Sequence, residues 1–136
     1  MANKYKREVG LKLGQRDYTL RPTFEAICEF EERSGLNSFG AMQQIHKGAG
    51  ASTRTIAAAF WAGIRASREY EDNPAAAPSF SEVGRLVQEQ GVSTLIPSFI
   101  DFLVKGMSSD ADLQRMADNA TGKEVTQQST QKPSPE

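Results

Sequence analysis

Few residues in this 136-residue chain are able to do acid–base, nucleophilic or metal chemistry, and they stand apart from one another. The only histidine, His46, has no cysteine, carboxylate or second histidine at metal-ligand spacing, and no serine or cysteine nucleophile motif surrounds it. It belongs at the C-terminal end of a short helix, where a cationic ring interacts favourably with the helix dipole. The only cysteine, Cys28, cannot form an internal disulfide, and it falls on an apolar helical stripe where a neutral thiol packs as a small hydrophobe. Gly48-Ala49-Gly50-Ala51 follows no strand and lacks the Gly-Lys-Ser/Thr ending of a phosphate-binding loop. No catalytic residue, cofactor or metal site is expected, and the chain reads as something other than an enzyme. Glu31 is the anomaly, because on a helical wheel it falls between Phe24 and Ile27, where an ionised carboxylate is costly unless paired. It either reaches water or a neighbouring arginine such as Arg21, or offers a polar contact to a partner.

Composition narrows the partners. Sixteen basic and seventeen acidic residues leave a net charge of -1, so no global field draws the chain to nucleic acid or to an acidic membrane. The local excess of six Lys/Arg over two Asp/Glu in Met1 to Arg21 reads as a solvated hairpin face. Any recognition helix here would be rich in alanine and apolar residues and poor in Arg, Asn and Gln, which makes base reading difficult. No apolar run is long enough for a bilayer span or a signal peptide, so the expectation is a soluble, intracellular protein with no nucleic-acid or membrane partner.

The elements that must position any functional surface are organised around Asp17 to Asn37. Val9, Leu11 and Leu13 alternate with Glu8, Gly10 and Lys12, Gly14 to Asp17 supply a turn, and Tyr18 to Leu20 return as a second strand. Pro22 then keeps Arg21 out of helical geometry, Thr23 caps a first helix with an apolar stripe of Phe24, Ile27 and Cys28, and Gly35 stops it. Glu29 and Arg33, four apart, are placed to pair. Ser38 caps a second helix to about Lys47, with Phe39, Met42 and Ile45 apolar, and Ser52 caps a third to about Ser67. That third helix is bulky on one side (Ile56, Phe60, Trp61, Ile64) and small on the other, which suits a central core helix. Glu69 to Pro78 is a linker, Ser79 with Glu82 forms a capping box for a fourth helix, and Gly91 ends it.

The final strong helix, from about Ser93 to Lys105 with Pro97 in its first turn, bears most on function. Leu95, Ile96, Phe99, Ile100, Phe102, Leu103, Val104 and Met107 cover an arc of roughly 200°, wider than an ordinary surface helix needs. Either the hairpin and helices enclose the surplus within one chain, or a homo-oligomer contact or an apolar partner helix covers it. The candidate partner-binding residues are Trp61 and Ile64 from the third helix, Phe99, Phe102, Leu103 and Met107 from the last, and Glu31. Asp110 to Ala120 has a weak helical pattern. The whole is an α+β, mainly helical domain over residues 1–117, with an N-terminal β-hairpin packed on about five helices. Met1 to Lys6 is expected to fray, and residues 118–136 to form a disordered polar tail.

Taken in order, LRPTFEA (20–26), EERSG (31–35), FWAGIR (60–65), EVGRLV (82–87) and LIPSFIDFLV (95–104) resemble the small tail assembly chaperone family of gene transfer agents and siphovirus-like phages, sometimes labelled a phage tail tube protein. The likeness runs from about Val9 to Met107 and includes no catalytic motif. It implies a protein that holds the tape measure protein soluble while the tail tube polymerises around it, in the cytoplasm of a bacterial host and absent from the mature particle. The tail tube protein is a second partner that it implies. The competing expectation is a structural subunit of the tail tube or tip that stays in the particle. Against this stands the small number of strands, since a tube subunit normally needs a substantial sheet to close a ring.

Overall fold

A computed structural model of the chain describes residues 7–121, and the terminal segments for which fraying and a disordered tail were expected, 1–6 and 122–136, lie outside the described residues. Strand β1 (Val9–Leu13) pairs antiparallel with β2 (Arg16–Leu20), in a register running from Val9 opposite Leu20 to Leu13 opposite Arg16. The turn is therefore the two residues Gly14 and Gln15, and β2 begins two residues before the expected Tyr18. Two strands alone are marginal in water. This pair survives because Val9, Leu11, Leu13 and Leu20 are all buried, and because its free backbone groups find side chains. The Gln90 amide donates to the Lys12 carbonyl at 3.0 Å and accepts from the Gly14 N–H at 2.9 Å. Lys105 Nζ donates to the Glu8 carbonyl at 3.0 Å.

Six α-helices follow. Helix α1 (Phe24–Ser34) is capped by Thr23, whose side chain accepts from Ala26 N–H, and is stopped by Gly35. Helix α2 (Ser38–His46) is capped by Asn37 rather than Ser38, because the Ser38 N–H and hydroxyl are both turned to Glu31. Helix α3 (Thr53–Arg65) starts at the expected Ser52 cap, two one-turn 3-10 helices (Arg68–Tyr70 and Pro74–Ala76) occupy the linker, and α4 (Phe80–Gln90) carries the complete Ser79–Glu82 capping box. Gly91 then adopts φ +99, ψ 129, a conformation open essentially to glycine alone, so α5 (Val92–Met107) starts immediately after it. That early start moves Pro97 beyond the first turn into the helix interior, where it has no N–H for the Ser93 carbonyl. The weak pattern after Asp110 is a sixth helix, α6 (Asp110–Thr121), which takes residues 118–121 out of the expected tail. Its start is a reciprocal cap: Ser109 N–H donates to the Asp112 carboxylate, and Asp112 N–H donates to Ser109 Oγ.

Helix α3 is the core element, as its small and bulky faces suggested. Thr55 to Phe60 and Ala62 to Ile64 are all buried, and α3 touches β2, α1, α4 and α5. At Gly63 two neighbouring elements press on the α3 backbone. A Cβ there would lie 3.0 Å from Leu20 and 3.1 Å from Phe102, and the Gly63 carbonyl accepts from Arg21 N–H at 3.1 Å. Phe30 meets the edges of Phe99 and Phe102, each with ring centroids 6.0 Å away.

Two expectations are corrected here. The stripe Phe24–Ile27–Cys28 is not the core face of α1: Ala26 and Phe30 are buried, whereas Phe24 is 78% exposed and Cys28 is exposed. Phe24 and Phe30 are six residues apart and lie about 120° from each other around a helix, so turning Phe30 into the core carries Phe24 towards solvent. Phe30 reaches the Phe99–Phe102 pair, and Phe24 is turned out. Glu8, placed on the solvated face by alternation, is buried and pairs with Arg68 Nε at 3.3 Å, because it precedes the first paired residue of β1 and escapes the strand's period.

Gly63→Ala is expected to destabilise the chain by about 1–3 kcal/mol in chemical denaturation, since the added methyl meets two fully buried side chains. Gly84→Ala in α4, where a Cβ would sit 3.9 Å from Ala57, is expected to gain up to about 1 kcal/mol. The Ser109 backbone and hydroxyl bonds, with Arg115 beside them, hold the Asp112 carboxyl below its ordinary pKa. The stabilisation of α6 is then present above the ordinary aspartate pKa and is lost as pH falls through the lowered value. An acid titration followed by the Ser109 and Asp112 amide resonances is expected to show that loss, and Asp112→Asn to abolish it.

Candidate functional site

The seven candidate partner-binding residues do not come together as one groove. Ile64, Phe99, Phe102 and Leu103 are 0–1% exposed and are core residues. Much of the α5 arc is covered within the chain by β1, α2, α3 and α4, with Phe30 of α1 against its phenyl rings, while Ile100 and Val104 stay half-buried. Met107, at the last position of α5, is 45% exposed. Trp61 is half-buried on the flank of α3. Glu31 is half-buried too, and its carboxylate accepts from Ser38 N–H at 3.0 Å and from Ser38 Oγ at 3.3 Å. Its place in the α1 stripe is thereby explained from within the chain: it neutralises the positive end of α2. His46, as expected, is the last residue of α2 and exposed, and among the described residues no group of three His, Cys, Asp or Glu could hold a metal ion.

Two surfaces stand out instead. The first is apolar. Phe24 and Cys28 lie on the outer face of α1, one turn apart, beside the partly buried Ile27. The end of α5 rests against this helix: a Cβ on Gly106 would come within 2.5 Å of Ile27 and 3.3 Å of Pro22, and Met107 is the next residue. At the other end of α1, the Glu31–Ser38 contact joins the start of α2, where Phe39 is 64% exposed. Sequence reasoning put Phe24 and Phe39 on apolar stripes without seeing that they point to solvent. The six-residue spacing of Phe24 and Phe30 was the available signal.

The second surface is aromatic and charged. Trp61 is flanked by Arg33 and Arg65, with guanidinium carbons 4.7 and 5.0 Å from its ring, and meets the edge of Phe80 at 5.9 Å. Arg33 also lies 4.7 Å from the Phe80 ring. Such contacts contribute about 0.5–1 kcal/mol each at exposed sites. They replace the expected Glu29–Arg33 pair, because Glu29 is taken by Arg65, whose Nη1 donates to both carboxylate oxygens at 3.2 and 3.1 Å. A third cluster closes the hairpin side: Arg16 lies over Tyr18 and nearer the edge of reach of Tyr70, and pairs with Glu69. Burial, with Glu69 adding to it, raises the Tyr70 hydroxyl above its ordinary pKa.

No family model, curated protein or solved structure matches this chain. Its surfaces are therefore read from their own chemistry. Phe99→Asp is expected to destabilise the chain by about 3–5 kcal/mol, because it places an unpaired carboxylate in a fully buried ring cluster. Phe24→Asp, on the exposed face, is expected to stay within about 0.5 kcal/mol of the parent in the same denaturation experiment.

Proposed function

We propose that this chain is a tail assembly chaperone of a phage or gene transfer agent, which binds the tape measure protein and keeps it soluble while the tail tube assembles. The observation that carries a binding role is the apolar outer face of α1, with Phe24 at 78% exposure and Met107 beside the same helix at 45%. A monomer gains nothing by leaving a phenylalanine so exposed next to Ile27 and Cys28, whereas a partner helix laid along α1 would bury all of them. Each apolar anchor buried in that way contributes roughly 1.5–3 kcal/mol, so a few in series hold a helix tightly enough to keep it in solution and weakly enough to release it. The resemblance of the five short motifs supplies the identity of that partner, a long and largely helical tape measure protein.

The rest of the reading follows from this role. The protein acts in the bacterial cytoplasm and leaves before the particle matures; no helix among the described residues is long and apolar enough to cross a membrane. The alternative, a tail tube or tip subunit retained in the particle, is disfavoured by a sheet of only two strands among the described residues, which offers little to build a ring from.

Co-expression with the tape measure protein encoded nearby tests the proposal. A soluble complex is expected to purify with the parent chain, and Phe24→Asp with Met107→Asp to return the tape measure protein to the insoluble fraction while the variant itself stays folded. A tape measure protein that is soluble alone, or that fails to bind, would overturn the assignment, and finding the chain in mature particles would favour the structural alternative.

A further inference from the structure

The cleft beside Trp61 has an unbalanced set of charges and donors. It encloses about 370 Å³ and is lined by Glu29, Glu32, Arg33, Arg54 and Trp61. Glu29 is already neutralised, since both its oxygens accept from Arg65. Arg33 is held over two aromatic rings, and among the described residues its guanidinium has neither an ion pair nor a hydrogen bond. Arg54 gives its Nε–H to the Arg33 carbonyl at 3.0 Å, which orients its plane and leaves its terminal nitrogens with no ion pair among the described residues. Against these two oriented cations stands one exposed anion, Glu32. The cleft therefore offers two guanidinium forks, an aromatic wall and an excess of one positive charge.

We propose that this cleft binds the carboxylate of a Glu or Asp in an acidic segment of a partner protein, with an apolar neighbour of that residue lying against Trp61. A carboxylate matches the fork of a guanidinium and returns the cleft to neutrality. A phosphate dianion or a nucleic-acid backbone would bring more negative charge than the two arginines exceed Glu32 by, on a chain whose own net charge is -1. The aromatic contacts of Arg33 hold it in place before the ligand arrives, so little side-chain entropy is lost on binding. The site is built from residues of α1 and α3 other than Phe24, Cys28 and Met107, and stands independently of the tape measure assignment.

Trp61 is the only tryptophan, so its emission reports on this cleft alone. The probe is a short synthetic peptide carrying Glu next to Leu, with its Gln counterpart as control. The Glu peptide is expected to change Trp61 emission and to bind about tenfold more tightly than the Gln peptide, the worth of a charged hydrogen-bonded contact. Arg54→Gln and Arg33→Gln, both at exposed positions, are each expected to weaken it several-fold. Glu32→Gln is expected to tighten it about two- to threefold, a gain that a folding defect cannot produce. Equal binding of the Glu and Gln peptides, or no emission change at millimolar peptide, would overturn the proposal. So would displacement of the Glu peptide by inorganic phosphate or an oligonucleotide at lower concentration, which would mark a phosphate site.

Discussion

The close approach at Gly63 sets the arrangement of everything around it. Leu20 from the hairpin and Phe102 from α5 both press on the bare backbone of α3 at this residue, and the Arg21 amide ties the strand-to-helix switch to its carbonyl. A side chain there would push the hairpin and α5 away from α3 together. With both seated, the alanines of α3 let neighbouring helices come close, and Phe102 is brought to where Phe30 of α1 meets its edge.

The rotation of α1 follows from that contact and decides the character of the surface. Once Phe30 is drawn to Phe99 and Phe102, Ala26 faces inward as well, and Phe24 and Cys28 are carried to the outside. The same rotation lays Arg33 across Trp61 and Phe80 and brings Glu29 within reach of Arg65. One packing decision in the core thus produces both an apolar face and a cationic aromatic cleft, on different sides of one eleven-residue helix. Exposed ion pairs such as Arg65–Glu29 add little to stability, so their effect is to fix side-chain directions on that surface.

Long-range polar contacts do for the hairpin what a third strand would otherwise do. Gln90 at the end of α4 and Lys105 near the end of α5 satisfy backbone groups of β1 and its approach, while Arg7 donates to the Lys105 carbonyl and pairs with Asp110 at 3.1 Å. Each joins the N-terminal strand to residues more than seventy positions away. A two-stranded sheet is stable here because helices supply both its apolar cover and its hydrogen-bond partners.

The local signals for the elements were legible in the chain itself. Thr23, Ser52 and the Ser79–Glu82 pair start helices where capping chemistry places them, Gly35 and Gly91 end them, and the alternation of Val9, Leu11 and Leu13 marks a half-buried strand. These features act within a few residues, so sequence alone determined them, together with the mainly helical α+β class. What covers each apolar face was not written locally. Phe24, Ile27 and Cys28 form as good a helical stripe as Ala26 and Phe30, and the wide arc of α5 is equally compatible with a partner's helix or with the chain's own elements. Only the tertiary structure chose, because burial depends on which surfaces meet. Gly63 let Phe102 and Leu20 converge, Phe30 filled the space beside them, and the residues left outside became the surface available to a partner.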